Sequence, residues 1–327
     1  MANAYDIEEI FPDVATGPVR LPRRQAGSSP QGLAVTLLAD YTLRTRAWLP
    51  SAAIVELLAE SQVSAGGART AISRLARRGV LEGSRQGRHS FYRLTQPAAV
   101  DLSIGGHWII ASTAGAGPWD GWWTLIAFSL PQEHSNQRRA LRGRLRWLGY
   151  APLYDGLWVS PHALTPHARE QLAQADLGAM TVFRAEHVKL GAPTGRDPLD
   201  AWDIAAIDRE YESFIRRWSP LPPRIRSGDI GGTEAVQART EVMDTYRRFA
   251  LLDPQLPIRL LPARWRREPA REVFVAVYDG LAEAAQEHVR AAAARCTGSP
   301  EPGISAHTIA DMLAGVHGAA HPHGTIR

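Results

Sequence analysis

Residues 64–95 read SAGGARTAISRLARRGVLEGSRQGRHSFYRLT, and this stretch decides the fold. Ser64 is placed to cap a helix by accepting a hydrogen bond from a free backbone N–H of the first turn. Ala68, Ala71, Ile72 and Leu75 then recur at three- and four-residue spacing and form one apolar stripe facing a core. Gly79 sits where a left-handed residue closes a helix. The opposite face carries Arg69, Thr70, Ser73, Arg74 and Arg77, with Arg78 at its end. Gly66 and Gly67 cost the first turn roughly 1 kcal/mol each relative to alanine. Val80–Thr95 follows with period-two alternation, two strands around Gln86-Gly87, with Arg85, Arg88 and His89 about the tip. An arginine-faced helix followed by a hairpin with a basic tip is the order of recognition helix and wing in a winged helix-turn-helix. Double-stranded DNA is therefore the first partner to consider, because arginine presents a planar fork to guanine or phosphate. The plainer alternative is an amphipathic helix with a solvated basic face and an unrelated hairpin.

Charge is partitioned in the same sense. The chain has 37 Lys+Arg against 33 Asp+Glu, a formal charge of +4. Between Arg20 and Thr95 twelve arginines face only Asp40, Glu56, Glu60 and Glu82, an excess of eight that leaves the remainder four negative. A basic module on a mildly acidic body suits a nucleic-acid binder better than a generally adhesive surface. Lys189 is the one lysine, a bias that carries no chemistry of its own. Cys296 is the single cysteine, which excludes an internal disulfide and any multi-cysteine metal site. No apolar run approaches the roughly 18 residues of a membrane span, and the start of the chain, with Asp6, Glu8 and Glu9, lacks a signal pattern. Residence in the cytoplasm is the expectation.

Outward from the opening stretch, 327 residues leave room for two or three domains with cores of their own. Residues 1–30, rich in proline, glycine and arginine, read as a disordered arm whose Leu21-Pro22-Arg23-Arg24 could reach a groove. Residues 31–97 form the winged helix-turn-helix domain, with helices expected over Gln31–Tyr41 and Pro50–Ser61 before the arginine-faced one. Trp48 is expected in the core or at a strand edge. A second pattern occupies 120–197: a buried strand at Trp122–Leu130, an arginine-rich helix at Arg138–Leu148, a strand at Leu153–Val159 interrupted by Asp155-Gly156, a helix at Pro166–Ala175 and a strand at Met180–Leu190. That order predicts a ferredoxin-like unit, one strand short unless 149–160 holds two. Residues 198–295 read as helical, with helices at Trp202–Trp218, Thr233–Leu252 and Glu268–Arg295. Residues 296–327 read as a flexible tail apart from a short turn near Ile309–Leu313. The fold class expected is α+β, in several domains.

Several segments together resemble one family. The first domain, the strand WWTLIAFSLP at 122–131, the run RGRLRWLGYAPLYDGLWVSP at 142–161 and the run LLDPQLPIRLLPARW at 251–265 are similar to the PaaX family of transcriptional repressors of phenylacetate catabolism. The resemblance spans roughly 31–295. It implies a winged-helix domain, a middle domain like the CRISPR-associated Cas2 fold that serves as a dimerisation platform, and a helical C-terminal domain. The effector it implies is phenylacetyl-coenzyme A, whose binding releases the operator; other aromatic or acyl-CoA pathways, other effectors and activation rather than repression stay open. The Cas2 likeness raises a nuclease as an alternative. Such enzymes resemble one another in an aspartate at the end of the first strand, where carboxylates can hold a divalent ion. Here Phe128-Ser129-Leu130-Pro131 supplies none, so no enzyme is expected. A protein-interaction module without DNA is the remaining alternative.

In a homodimeric repressor Arg69, Thr70, Ser73 and Arg74 are the candidates for base edges, and Arg77, Arg78, Arg85 and Arg88 for phosphates. Half-sites about 34–36 Å apart follow from two recognition helices in successive major grooves. A CoA thioester needs cations for its phosphates and an apolar slot for its acyl group. Arg216, Arg217, Arg264, Trp265 and Arg266, with Arg267 beside them, offer that chemistry, as would a plain helix start with packed aromatics. No cofactor and no catalytic constellation is expected: neither a Walker loop nor a strand-linked GxGxxG is present, and His107, His162 and His187 lack triad partners. His317, His321 and His323 lack the carboxylate or cysteine partners of a metal site.

Overall fold

The computed structural model describes residues 29–115, 117–129, 135–173, 179–189, 195–301 and 303–315. The expected N-terminal arm and the three tail histidines lie outside the described residues. Two compact units emerge: one built from 114–211 and 251–267, the other from the described residues up to 113 together with 212–250 and those from 268 on.

The second of these units holds the opening stretch. Helix α1 (Pro30–Thr42) starts where the Ser29 side chain accepts the Gly32 N–H, with proline at the position where its missing N–H costs nothing. It is apolar nearly all round, and Leu33, Val35, Leu37, Leu38 and Tyr41 are all buried. Strand β1 (Leu49–Pro50) leads into α2 (Ser51–Glu60), and a left-handed Gln62 turns the chain toward α3 (Ala65–Arg77). As the sequence predicts, Ser64 caps α3 by accepting the Gly67 N–H at 3.1 Å, Ala68, Ala71, Ile72 and Leu75 are buried, and Gly79 takes φ +72°. Strands β2 (Leu81–Gln86) and β3 (His89–Leu94) pair antiparallel and β1 joins the other side of β3. Gln86 pairs with His89, so the turn is Gly87-Arg88, one residue later than the sequence suggests, and Gly87 supplies the positive φ of 59°.

Helix α4 (Gln96–Ser112) has no counterpart in the sequence reading, because Gly105-Gly106 interrupts its pattern. Thr95 caps it, accepting the Ala98 N–H while donating to Gly79 O at 2.7 Å. The helical remainder is more broken than periodicity implies. Past α7 (Ile204–Trp218) it comprises α8 (Leu221–Ser227), α9 (Gly232–Tyr246), α10 (Phe249–Leu252), α11 (Arg267–Tyr278), α12 (Ala282–Thr297) and α13 (Ile309–Ala314). The single helix expected over Glu268–Arg295 thus divides at Asp279-Gly280-Leu281. A Cβ on Gly280 would lie 2.3 Å from Ala276 O, so only glycine allows this turn. An aromatic column of Phe214, Tyr246, Phe274 and Tyr278 forms the core, with Tyr246 and Phe274 stacked at 3.9 Å between ring centroids. Residues 303–315, read above as part of a flexible tail, are instead built into this unit. Ile304, His307 and Met312 are buried, and the backbones of Ser305 and His307 donate to Tyr41 O and Asp40 O.

The other unit carries β4 (Trp123–Phe128), α5 (Ser135–Trp147), β5 (Ala151–Tyr154), β6 (Leu157–Ser160), α6 (Pro166–Ala173) and β7 (Met180–Ala185). The missing strand is found: 149–160 holds two, turning at Asp155-Gly156. Sheet order is β5-β6-β4-β7 with every neighbour antiparallel, the split βαβ arrangement of a ferredoxin-like unit. One face buries Ile126 and Trp158 with Leu141 and Leu145 of α5; the other buries Trp123, Leu153 and Val159 beside Trp202 and Leu260. No helix among the described residues is long and apolar enough to cross a membrane.

Candidate nucleic-acid interface

Helix α3 stands on α1 and α2 by its alanine, isoleucine and leucine stripe, which turns the other face outward. Arg69, Thr70, Ser73, Arg74, Arg77 and Arg78 are all exposed. At about 1.5 Å per residue the helix is roughly 20 Å long, a length a major groove admits end-on or along its floor. Arg74 and Arg77 lie in its last turn, where the helix dipole favours cations. No described carboxylate pairs with Arg69, Arg74 or Arg77. Arg74, Arg77 and Arg78, with Gln31 of α1, line a shallow open depression in the surface, whose cations suit an anionic group. At the hairpin tip Arg85 and Arg88 are exposed as well; their guanidinium Nε atoms reach only Gly87 O at 3.4 Å and the His89 ring at 3.3 Å. All eight residues singled out from the sequence are therefore at the surface.

The charge excess of the segment is not all displayed. Arg46 and Arg93 both bind Glu82, and Arg93 lies over the Trp48 ring at 4.3 Å. Arg44 is paired with Asp311 at 2.8 Å. These three arginines are spent within the chain, whereas Arg69, Arg74 and Arg77 of α3 have no described carboxylate beside them.

Behind the arginine face, the module is fixed by polar contacts to the helices that follow. Glu60 accepts from His288 at 2.7 Å, and its backbone oxygen accepts from Gln237. Glu56 pairs with Arg295. Deeper, Tyr278 donates to Asp40 at 2.7 Å, and fully buried Arg239 donates to Tyr278 O and to His307 O. Burial raises the Asp40 carboxyl to about 6, with Arg239 and the Tyr278 hydroxyl acting against it. Burial also lowers the His307 ring to about 4, so it is neutral at physiological pH. The sequence reading missed this cluster. Its one signal was charge at otherwise apolar helical positions: Asp40 among the leucines of α1, Arg239 beside Val236 and Val242.

The five candidates for the effector fall in different places. Arg264, Trp265 and Arg266 belong to the unit with the four-stranded sheet, Arg216 and Arg217 to the other. Trp265 is buried edge-on against Tyr211 at 5.6 Å, and Arg266 binds Asp208. Arg217 is held by Glu241, whereas Arg216 and Arg264 are exposed. The neighbouring Arg267, grouped with them in the sequence, is instead a structural residue: it is buried and grips Asp253 with two hydrogen bonds, and the Tyr211 hydroxyl donates to the same carboxylate. Among the described residues no cluster of three or more His, Cys, Asp or Glu could hold a metal ion.

Three family models match in succession. "PaaX-like protein" matches residues 29–98, "PaaX protein central Cas2-like domain" residues 116–195, and "PaaX-like protein C-terminal domain" residues 202–291. The transcriptional repressor PaaX of Escherichia coli (strain K12) is 28% identical over 242 residues, covering 72% of this chain and 75% of that protein. Among solved structures, the uncharacterized protein Rv0674 from Mycobacterium tuberculosis is similar at TM-score 0.54 and 17% identity, over 81% of this chain and 98% of that one, a likeness of fold.

Proposed function

The chain belongs to the PaaX family, and on that premise we propose that it is a homodimeric repressor of an aromatic or acyl-CoA catabolic operon, phenylacetate catabolism being the first candidate. It is a DNA-binding regulator of transcription rather than an enzyme. In this reading α1, α2, α3 and the β2–β3 hairpin are a winged helix-turn-helix, α3 its recognition helix and Gly87-Arg88 the tip of its wing. The observation that carries the reading is the exposed arginine face of α3 beside the basic hairpin tip, both left without described carboxylates while neighbouring arginines are paired. Arg69, Thr70, Ser73 and Arg74 read base edges; Arg77, Arg78, Arg85 and Arg88 hold phosphates. The domain bounds that go with it are 31–97, 120–197 and 198–295.

The effector in this proposal is an aryl- or acyl-CoA such as phenylacetyl-CoA. It acts by binding a dimer arrangement that cannot engage the operator better than one that can, since a ligand with equal affinity for both shifts nothing. Within the unit of the four-stranded sheet, Arg264 suits its phosphates best, because Arg266 already serves a carboxylate; Trp265, buried against Tyr211, suits the wall of an acyl slot rather than its mouth. The test is to map the duplexes that the full chain retains from fragmented genomic DNA, then titrate those complexes with phenylacetyl-CoA, free phenylacetate and CoA. Selective retention of fragments upstream of a catabolic operon, and release by the thioester alone, is expected. Retention without sequence preference overturns the regulator; selective retention that no CoA ester disturbs overturns the effector.

A further inference from the structure

We propose that residues 303–314 are a strap that fixes the angle of the DNA-binding module against the C-terminal helices, so that the two modules of a dimer can engage two half-sites at once. This deepens the homodimeric DNA-binding reading above and rests on it.

The module is joined to the helices behind it along two edges. At α2 the contacts are made by side chains: His288 and Gln237 meet Glu60, and Arg295 meets Glu56 with the two side chains 53% and 41% exposed. Exposed ion pairs hold weakly, so this edge alone leaves a pivot. The other edge is the C-terminal end of α1. The last C=O groups of a helix have no partner within it. Here they are met by backbone from far along the chain: the Ser305 N–H donates to Tyr41 O at 2.9 Å and the His307 N–H to Asp40 O at 2.6 Å. Just past the helix, Thr45 Oγ1 donates to Gly303 O at 2.6 Å, and Arg44 pairs with Asp311 at 2.8 Å.

The alternate residues of the strap turn the other way. Ile304 O accepts from Arg290 Nε of α12 at 2.9 Å, and the Ala306 N–H donates to Gln286 Oε1 of the same helix at 2.9 Å. Further on, His307 O accepts from Arg239 of α9 at 2.7 Å, and the Ile309 N–H donates to Asp279 Oδ1 at 3.0 Å. One short segment thus bonds the module through 303, 305 and 307 and the C-terminal helices through 304, 306 and 309. It is sunk between them, with Ile304, Ala306, His307, Ile309 and Met312 buried. Thr308 and Asp311 then form a capping box that starts α13, which lies on α4: the His107 ring meets Leu313 O at 3.3 Å, and a Cβ on Gly106 would stand 3.6 Å from Met312 Cγ. Helix α4 is itself tied to the hairpin, since Thr95 both caps it and bonds Gly79 O. The strap therefore grips the module at the end of α1 and again at α4. A module held at both edges presents α3 in one direction. Two such modules gain from the second half-site in proportion to the effective concentration that this direction provides.

The test uses the full chain with Cys296→Ser, so that no native thiol interferes. Ile304→Asp places a carboxylate in the fully buried seat and releases the strap. It is combined with Gly106→Cys and Met312→Cys, whose Cβ atoms would lie 4.0 Å apart, within disulfide range, so that oxidation fastens the strap again. Anisotropy titrations compare the parent with the reduced and oxidised variant, on the duplex selected from genomic DNA and on the same duplex with one half-site scrambled. The parent should prefer the intact duplex. The reduced variant should lose about tenfold or more of that preference, the oxidised variant should regain it to within about threefold, and affinity for the scrambled duplex should stay within about threefold throughout. Equal preference in the reduced variant, the oxidised variant and the parent overturns the strap alone, as does a loss that oxidation fails to restore. A parent that binds both duplexes equally overturns the homodimeric reading on which the strap rests. Should Ile304→Asp fail to fold, Asp311→Ala, which removes the partner of Arg44 and the cap of α13, takes its place and the same comparison decides.

Discussion

Asparagine in place of Asp40 should stabilise the protein, and increasingly so as pH rises. Asp40 is buried in α1, its Oδ1 accepting the Tyr278 hydroxyl at 2.7 Å while Oδ2 has no partner. Burial, the largest influence, lifts its carboxyl from 3.8 to about 6, and Arg239 and Arg247 only partly oppose this. Because the folded value lies above the unfolded one, the folded state holds the proton more tightly. The associated stability is fully present below pH 3.8 and is lost as pH rises through 6. At about 1.36 kcal/mol per pK unit the loss reaches roughly 3 kcal/mol at pH 8, and about half of that has accrued by pH 5. Asparagine keeps the acceptor for Tyr278 and removes the charge. An amide N–H without a partner costs about 1–3 kcal/mol, so the absolute gain at pH 8 is modest. The pH dependence is the sharper quantity: the stability of Asp40→Asn relative to wild type should improve by about 1–2 kcal/mol between pH 5 and pH 8. Urea unfolding at the two pH values measures it. A difference that stays constant or shrinks with pH would show that Asp40 is ionised in place at no cost, and that the buried cluster behind the DNA module is compensated in full.

Three further outcomes follow from the same structure. Arg74→Ala should cost about 1–3 kcal/mol on the selected site and relax discrimination at one base pair, whereas Arg88→Ala should weaken specific and random duplexes alike and reduce the salt slope by about one; competition binding across salt separates them. Asp253→Ala leaves Arg267 charged and buried, so a loss of about 3–5 kcal/mol is expected in chemical unfolding, while replacing both partners with apolar residues of similar volume should cost far less. Gly79→Ala forces a side chain into φ +72° and should lower stability by about 1 kcal/mol in thermal unfolding, although nothing lies within 4 Å of the added methyl.

What the sequence disclosed was what is local. The caps of α3, its apolar stripe and the hairpin rest on residues within a few positions of one another, and these were legible down to Ser64 and Gly79. The turn slipped by one because period-two alternation is the same for either register until the pairing of Gln86 with His89 is known. Helix α4 was hidden by Gly105-Gly106, which read as a break yet lie inside a helix that α13 covers. Residues 303–315 lack periodicity; their order comes from partners more than 260 positions away, Asp40 and Tyr41. Arg267 read as a cation for an effector because composition cannot distinguish a cation that finds a buried carboxylate from one that meets a ligand.

The most direct test of the whole account is equilibrium binding of the full chain to its selected genomic duplex and to a random duplex, measured by fluorescence anisotropy from 50 to 200 mM salt. With six arginines from each protomer at the interface, affinity should fall by about 10³–10⁵ or more over that range, and the selected duplex should be preferred by about 10³ or more at each salt concentration. Binding that is flat with salt and equal for the two duplexes would contradict it.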